Sequence, residues 1–392
     1  MKILFLSRWF PYPMNNGSKI RIYNLLRGLS QHHEVTLLSF ADQPGVSPEA
    51  PEVRAVCSRV DVVPWREFDP TTARARLGFL SLKPRSVVDT FSPEMAGAIT
   101  RTLTAEKFDL IIASQLQMAA YYWYFQDVPA VFEEMEIGLF HDQAFSAGGK
   151  IRLRQALTWF KLRTYLSRLL DAYAACTVAS AQERQLLLRN FPGFRRPIEI
   201  IPNCLNMDEY KNVEAERKPD TLIFAGPFKY HANYEAMKWF VGEVFPLILE
   251  QVPDAHLIIT GDHLNLPLPS TKNITLAGYV DDVKSLTASC TVGIAPLLSG
   301  GGTRLKILEA MALGTPVVAT SKGAEGLDAQ AGEHLLIADS AGDFAESTVR
   351  LLKEAGLRQK LAENAKKLVR GRYDWGGIMP SFLHLLAGIS QK

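Results

Sequence analysis

The segment with the most residues able to do chemistry runs from residue 299 to residue 326. It contains three glycines followed by a threonine, two cations and a carboxylate: Gly300, Gly301, Gly302, Thr303, Arg304, Lys306 and Glu309. Glycine lets a ligand lie against the backbone. The first turn of a helix presents unpaired N–H groups and a partial positive charge. Two full cations beside such a turn predict a site for an anion such as a phosphate.

These residues require a helix that begins near Arg304 and fixes their positions. Thr303 is predicted to cap it, and Gly314 is predicted to end it. Residues 315–319 then read as a buried strand. A simpler interpretation is a strand–helix–strand unit with a solvated basic turn. We favour the phosphate site because the glycines, both cations and the carboxylate all fall within residues 300–309.

A second group of reactive side chains follows the apolar run 130–132. Glu133, Glu136 and His141 are candidate catalytic residues there, with Glu134 in the same cluster. Carboxylates at the end of a strand can bind sugar hydroxyls or accept a proton. The alternative is a solvated acidic turn with a structural histidine.

Residues 150–170 contain six cations and no acid. At helical spacing, four of the cations fall close to one face and three apolar residues supply another: Lys150, Arg154, Lys161 and Arg168, then Trp159, Phe160 and Leu166. A basic amphipathic helix can lie on an anionic bilayer, which predicts a peripheral membrane contact. The alternative is an ordinary helix that packs its apolar side into a core.

Composition excludes several classes of protein. The chain has 392 residues with 43 Lys and Arg against 41 Asp and Glu, and a net charge of +2 gives no reason to expect nucleic acid as a partner. The four cysteines are far apart, which predicts free thiols and a cytoplasmic setting. Residues 3–6 form too short an apolar run for a signal peptide, and no run reaches the ~18 apolar residues of a spanning helix.

Short apolar runs and amphipathic segments alternate along the whole chain, which predicts doubly wound parallel sheets. The predicted strands are 2–7, 34–40, 60–63, 110–113, 130–132, 176–178, 198–201, 221–225, 256–260, 274–276, 292–295, 315–319 and 334–338. The predicted helices include 21–30, 93–107, 233–251, 283–288, 348–367 and 378–389. The length favours two domains. We predict an N-terminal domain at 1–203, a linker at 204–220, a second domain at 221–372 and a final helical segment at 373–392.

The whole sequence resembles the family-4 retaining glycosyltransferases of the GT-B fold. The stretches that carry the resemblance are KILFLSRWFPYPMNNGSKIR, IEIIPNCLNMDEY, FAGPFKYHANYEAMKWF and GGGTRLKILEAMALGTPVVATSKGAEGL. Within the family the sequence is most similar to sugar transferases of bacterial exopolysaccharide clusters. The resemblance implies two Rossmann-like domains that face a central cleft, with the C-terminal helix crossing back to the first domain.

The resemblance also implies roles for individual residues. Glu309 matches the second glutamate of the family's E-x7-E motif, which binds the ribose, whereas Gly301 stands where the first glutamate usually sits. Ser114 and Gln115 occupy the region where the family often has a histidine. The implied donor-binding set is Gly17, Gly226, Lys229, Tyr279, Val280, Gly301, Gly302, Thr303, Arg304, Lys306 and Glu309.

We therefore expect a cytoplasmic transferase, at the inner face of the membrane, that uses a nucleotide-diphosphate sugar and a glycan or lipid-linked acceptor. Neither a further cofactor nor a metal is expected, because the sequence has no spaced DxD pair in a loop. Two alternatives remain open. One is a nucleotide-sugar epimerase of related architecture. The other is an inactive sugar-nucleotide-binding scaffold, which the glycine at position 301 motivates.

Overall fold

Alternation of short apolar strands and helices builds two parallel sheets, one in each of two units. In the computed structural model the first unit comprises Met1–Asn203 and Ile378–Lys392, and the second comprises Cys204–Gly377. The structure describes residues 1–146, 149–269, 271–300 and 304–390. The α/β architecture predicted from the sequence is confirmed.

The first unit has a seven-stranded sheet in the order β3-β2-β1-β4-β5-β6-β7. Its strands are β1 Lys2–Ser7, β2 Glu34–Ala41, β3 Arg59–Pro64, β4 Leu110–Ser114, β5 Ala130–Glu133, β6 Ala175–Val178 and β7 Ile198–Ile200. All pair in parallel. β4, β5 and β6 are buried along their whole length, as expected of strands covered on both faces.

Helices connect these strands. They are α1 Gly17–Ser30, α2 Pro51–Arg54, α3 Ala73–Leu77, α4 Arg85–Thr90, α5 Pro93–Ala105, α6 Gln115–Ala119, α7 Gly138–Ser146, α8 Gly149–Leu170 and α9 Ala181–Asn190, with a 3-10 turn at Tyr122–Tyr124. The last helix of the chain, α16 Trp375–Ser390, packs closely on α1. A Cβ atom at Gly28 would overlap the side chain of Met379, so glycine permits this close packing.

The second unit has a six-stranded parallel sheet in the order β10-β9-β8-β11-β12-β13. Its strands are β8 Thr221–Ala225, β9 His256–Thr260, β10 Ile274–Gly278, β11 Val292–Ala295, β12 Val317–Ala319 and β13 Leu336–Ile337. Its helical elements are a 3-10 turn Met207–Tyr210, α10 His231–Trp239, a π turn Phe240–Val244, α11 Phe245–Gln251, α12 Val283–Ser289, α13 Leu305–Leu313, α14 Ala341–Lys353 and α15 Ala355–Arg372.

Two predicted helices differ from the structure. The helix predicted at 233–251 contains a π turn, which precedes Pro246, a residue without an N–H group. The helix predicted at 348–367 is two helices that meet at Glu354. Arg358 Nη1 donates to the carbonyls of Leu351 and Leu352 at 2.8 Å, which satisfies the end of α14 where the chain breaks.

Each sheet has one point where its strand order reverses direction. In the first sheet this point lies between β1 and β4, and in the second it lies between β8 and β11. Open α/β sheets bind ligands outside the carboxyl ends of the strands at such a point. The residues that follow β1, β4, β8 and β11 are therefore the ones to inspect for chemistry.

Within the described part of the chain, no helix combines the length and apolarity needed to cross a bilayer. Four cysteines, Cys57, Cys176, Cys204 and Cys290, are buried and form no disulfide bond with one another.

Candidate active site

Three glycines form tight turns at the carboxyl ends of neighbouring strands in the second unit. Gly226, Gly261 and Gly278 have φ angles of +148°, +99° and +66° and follow or end β8, β9 and β10. A Cβ atom at Gly261 would lie 2.6 Å from the backbone nitrogen of Pro227. The two loops after β8 and β9 therefore touch through their backbones, which only glycine allows.

Lys306 lies beside the first of these turns. Its Nζ donates to Asn233 Oδ1 at 2.9 Å, and it sits 4.0 Å from the centre of the Phe224 ring. A Cβ atom at Gly226 would lie 2.8 Å from the same Nζ. Burial lowers the pKa of Lys306 to about 7, with repulsion from Arg304 adding to the effect. The structure thus brings together Gly226 and Lys306, two residues that the sequence assigned to the donor site.

Glu309 lies one turn further along α13. One of its carboxylate oxygens accepts a hydrogen bond from the Tyr210 hydroxyl at 3.2 Å. Glu309 and Lys306 share a small cavity of about 20 Å³, which is roughly the space of one water. Burial raises the pKa of Glu309 above its ordinary value of 4.5, although the Tyr210 hydrogen bond and the charges of Lys284 and Lys306 oppose this shift. A carboxylate in this setting can accept hydrogen bonds from hydroxyl groups.

Arg304 occupies the cap position of α13, and its side chain makes no capping hydrogen bond. Thr303, predicted to cap this helix, lies outside the described residues, as do Gly301 and Gly302. Arg304 is buried, and a Cβ atom at Gly300 would lie 3.4 Å from its Nη2 and would overlap the Tyr230 hydroxyl. The guanidinium therefore lies next to the start of the glycine run.

The remaining predicted donor residues of this unit lie on loops at the same edge of the sheet. Lys229 follows β8 and is exposed. Tyr279 and Val280 follow β10, and Tyr279 is 84% exposed, so its ring is open for stacking against a ligand. The Asp282 side chain caps the N-terminus of α12, where it accepts a hydrogen bond from the Ser285 N–H at 2.9 Å.

In the first unit, Glu133 has a structural setting. It is fully buried, and one carboxylate oxygen accepts from Arg21 Nε at 2.6 Å while the other accepts from Ser114 Oγ at 2.7 Å. Arg21 also donates to the Ile201 carbonyl at 2.8 Å. Because both oxygens are engaged and inaccessible, we reassign Glu133 from a catalytic role to a positioning role at the end of β5.

The next residue, Glu134, faces a cavity and is held in strained backbone. Glu134 and Gln115 have φ angles of +55° and +67°, a region that non-glycine residues seldom adopt. Gln115 Nε2 donates to Glu134 Oε2 at 2.8 Å, so the two strained residues at the ends of β4 and β5 are joined. Burial raises the pKa of Glu134 to about 7, and the charge of Arg21 opposes the shift. Strain of this kind is typical of functional sites.

The cavity in front of Glu134 has a volume of about 440 Å³ and lies at the reversal point of the first sheet. Its lining includes two tryptophans, an arginine, two amides and three carboxylates: Arg8, Trp9, Trp65, Gln115, Gln117, Glu67, Glu134 and Glu136. We call it the first-unit cavity. A space of this volume is in the range of small-molecule sites.

The other first-unit predictions separate on the structure. Glu136 is exposed and lines the first-unit cavity. His141 instead packs 4.6 Å from Phe145 and 5.3 Å from Trp159 by ring centroids, outside the lining of that cavity. Gly17, which the resemblance assigns to the donor-binding set, is the first residue of α1. The Asn16 side chain accepts from the backbone N–H of Lys19 and starts the helix earlier than predicted.

The basic helix α8 packs most of its apolar side into the first unit. Trp159 and Leu166, predicted to face a membrane, are buried in the core, whereas Phe160 is 63% exposed. The side chain of Lys150 lies outside the described residues. The predicted membrane face is therefore wrong for Trp159 and Leu166, since the hydrophobic core competes for them.

Two family profiles match most of the chain. The profile described as "Glycosyl transferase 4-like domain" matches residues 16–204, and "Glycosyl transferases group 1" matches residues 219–354. The chain belongs to the family-4 glycosyltransferases. The GT-B fold expected of the family is confirmed by its two parallel-sheet units and by solved structures of the same fold.

Relatives of this chain include an uncharacterized 44.6 kDa protein of the cps region of Klebsiella pneumoniae. It is 27% identical over 164 residues, which are 39% of this chain and 42% of the relative. A phosphatidyl-myo-inositol mannosyltransferase of Mycobacterium leprae is 29% identical over 198 residues, 47% of this chain and 52% of the relative. The matched region thus spans about half the length of these relatives or less.

A solved structure of the Anabaena protein HepE, in complex with UDP and glucose, superposes with a TM-score of 0.62 at 16% identity. The superposition covers 99% of this chain and 100% of HepE. At that identity the likeness shows the shared fold alone.

Several residues at the two sites were missed by sequence reasoning. Asn233, Tyr210 and Tyr230 reach the donor residues from elements far along the chain, and no local pattern marks them. Gln115 and Glu134 were named from the sequence but were not assigned to a site. Each directly follows a strand of the structure, β4 or β5, and carries a polar side chain where the fold places ligands.

Proposed function

We propose that this chain is a retaining glycosyltransferase that moves a sugar from a nucleotide-diphosphate sugar to a glycan or lipid-linked acceptor. The observation that carries the proposal is the position of Lys306 and Glu309 three residues apart on α13. The Lys306 ammonium lies beside the Gly226 turn, at the reversal point of the second sheet. Such a set suits a diphosphate next to a ribose.

In the proposed reaction the bond between the anomeric carbon and the diphosphate oxygen breaks, the anomeric carbon bonds to an acceptor hydroxyl oxygen, and the hydroxyl proton passes to the departing diphosphate. The nucleoside diphosphate leaves with the negative charge that develops as its bond breaks. Lys306 and Arg304 stabilise that charge, because preorganised cations in a site of low water content act strongly on it. Glu309 accepts hydrogen bonds from ribose hydroxyls. Retention of configuration and independence from a metal are part of the proposal. Retention derives from the family resemblance, and metal independence derives from the lack of a spaced DxD pair in a loop of the sequence.

The relatives support the choice of substrates. HepE was solved with UDP and glucose, which supports a nucleotide-sugar donor. The mycobacterial relative is described as acting on phosphatidyl-myo-inositol, which supports a lipid-linked acceptor, and the Klebsiella relative comes from a cps region, which supports a polysaccharide.

Donor binding by matched variants tests the site. A panel of nucleotide sugars is first screened by thermal shift, since a true donor raises Tm by mass action. For the best donor, Lys306→Met and Glu309→Gln should raise Kd by about ten- to a hundredfold, the effect of losing a hydrogen bond to a charged group. The exposed residues Lys238 and Glu346 supply the controls Lys238→Met and Glu346→Gln, which should leave Kd unchanged. Wild-type affinity in both site variants contradicts the assignment.

NMR distinguishes the alternatives. An epimerase converts the donor sugar without any acceptor, and an inactive scaffold binds donor without hydrolysis or transfer above background. A retaining transferase instead produces a glycoside with the anomeric configuration of the donor. Inverted product refutes retention while leaving donor binding intact.

We further propose that the transferase works in the cytoplasm and touches an anionic membrane through residues 150–170. On the described part of α8, Leu157 and Phe160 are 56% and 63% exposed. Lys161 on the same helix donates to the Phe79 carbonyl at 2.7 Å, which fixes a loop whose Leu80 is 89% exposed. This loop lies in residues 70–88, in which every charged side chain is basic. An anionic bilayer would therefore attract it electrostatically.

Sedimentation with phosphatidylcholine vesicles, with and without phosphatidylglycerol, tests this contact. Binding should require the anionic lipid and should weaken in Phe160→Ser. Leu188→Ser, which changes an exposed apolar residue of α9, is the control. Equal binding to neutral and anionic vesicles, or none to either, contradicts the contact.

A further inference from the structure

Arg8, the first residue after β1, is a buried cation with incomplete compensation. It is only 4% exposed, and its guanidinium carbon lies 4.3 Å from the ring centre of Trp9 and 3.5 Å from that of Trp65. Arg8 Nη2 donates to Glu67 at 3.0 Å, but the Glu67 side chain is 76% exposed. A solvated carboxylate neutralises a buried cation weakly, because water screens its charge.

Arg8 also has one hydrogen-bond donor that is not used within the described residues. Among the described residues, its buried Nη1 atom has no hydrogen-bond partner. Burial lowers the pKa of Arg8 to about 10, even though the charges of Glu67 and Asp42 oppose that shift. A buried donor without a partner lowers the stability of the fold, and a ligand that accepts a hydrogen bond from it would remove that cost.

The Arg8 side chain lines the first-unit cavity. Trp9 and Trp65 line it as well, and Glu134 with its partner Gln115 lies among the other lining residues. An aromatic ring can pack against the apolar face of a sugar, while a carboxylate accepts hydrogen bonds from sugar hydroxyls. The volume of about 440 Å³ accommodates a saccharide of one or two rings.

We propose that the first-unit cavity binds a saccharide that carries an anionic group, a carboxylate or a phosphate, and that Arg8 binds that group. The saccharide is the acceptor if the proposed transferase function holds, and only this last identification rests on it. Trp9 contacts the sugar ring, and Glu134 receives a hydroxyl hydrogen bond. Arg8 sets specificity, because a neutral sugar leaves its charge only partly compensated by Glu67.

Ligand-observed NMR on the whole protein tests the proposal with four probes. Methyl β-D-glucuronide and glucose 6-phosphate carry the two anionic groups, methyl β-D-glucoside is the neutral counterpart, and inorganic phosphate is the ion alone. Both charged sugars should bind about tenfold or more tightly than the neutral one, the factor expected of a charge-assisted hydrogen bond. The tighter of the two identifies the preferred anion.

Two variants with opposite expected effects keep the test independent of folding. Arg8→Met packs between the two tryptophans without charge and should abolish the preference for charged sugars. Glu67→Gln removes the competing carboxylate at an exposed position and should strengthen binding of the charged sugars by up to about fivefold. Arg54→Met changes an arginine on α2 that pairs with exposed Glu49 and should have no effect.

Equal binding of charged and neutral sugars by the wild type overturns the proposal, as does a charge preference that survives in Arg8→Met. Inorganic phosphate that binds as tightly as glucose 6-phosphate overturns the saccharide part. UDP binding is measured on the same samples. A protein that fails to bind UDP but binds charged sugars through Arg8 contradicts the donor site and leaves this site standing.

Discussion

Raising the pH should weaken the binding of a nucleoside diphosphate through the titration of Lys306. In the free protein burial lowers the pKa of Lys306 to about 7, and Arg304 adds to the effect while Glu309 opposes it. The other groups against the ammonium, the Asn233 amide and the Phe224 ring, are neutral. Above pH 7 much of Lys306 is therefore uncharged when no ligand is present.

The expected magnitude follows from these values. A bound diphosphate favours the ammonium, so the pKa of Lys306 rises on binding and a proton is taken up. The protonated fraction of a group of pKa about 7 falls from about one half at pH 7 to about 3% at pH 8.5. Affinity should fall about fifteenfold over this interval, or about 1.6 kcal/mol. The terminal phosphate, with a pKa of about 6, is largely ionised over this range.

Isothermal titration calorimetry with UDP measures this linkage directly. Titrations in two buffers of different ionisation enthalpy give the number of protons taken up, which should approach one at the higher pH. Lys306→Arg retains a full charge over the range and should bind UDP with little dependence on pH. Lys238→Arg, at an exposed position of α10, is the control and should retain the wild-type slope.

Two results would refute the reasoning. One is a wild-type affinity that does not change between pH 7 and about pH 8.5, without proton uptake. The other is a Lys306→Arg variant that keeps the full slope, because the titrating group would then lie elsewhere.

Three further predictions concern stability. Arg21→Met leaves the fully buried Glu133 without its cation and should lower the free energy of unfolding by about 3–5 kcal/mol, measured by urea denaturation. Glu134→Gln should stabilise the protein at alkaline pH but not at about pH 4. Burial raises the pKa of Glu134 to about 7, so the wild type loses roughly 3 kcal/mol of stability as the pH rises from about 4.5, the ordinary pKa of the carboxyl, to about 7. Equal gains at both pH values contradict this. Gly261→Ala should lower Tm and weaken UDP binding, since its Cβ atom would meet the Pro227 backbone, whereas Gly242→Ala, where the space is open, should not.

The strands were the most predictable part of the fold. All thirteen predicted strands are present, because a short continuous apolar run between turn residues has few alternatives in a parallel sheet. Boundaries were less predictable where a single side chain decides them. Asn16 starts α1 four residues before the predicted start. Arg358 ends α14 by donating hydrogen bonds to two of its last carbonyls.

The proposed donor site was partly predictable because its key residues lie close together in sequence. Lys306 and Glu309 are three residues apart on one helix, so local spacing places them together. The first-unit site was not predictable in the same way. Whether a carboxylate at the end of β5 is buried or open depends on Arg21 and Ser114, which come from other parts of the chain. Sequence reasoning therefore named Glu133, while the structure turns Glu134 toward the cavity.

Both proposed sites share one electrostatic feature, a buried cation. Lys306 and Arg8 each lie at a reversal point of a sheet, and burial lowers the pKa of each, to about 7 and about 10. A cation in such a place is less stable than in water until an anion arrives. Anionic ligands should therefore stabilise the protein at both sites, and for independent sites the Tm increments from UDP and from a charged saccharide should add. Increments that fail to add would mean that the two sites are coupled. Because each site lies in its own unit, a variant at one site can be used to test its effect on binding at the other.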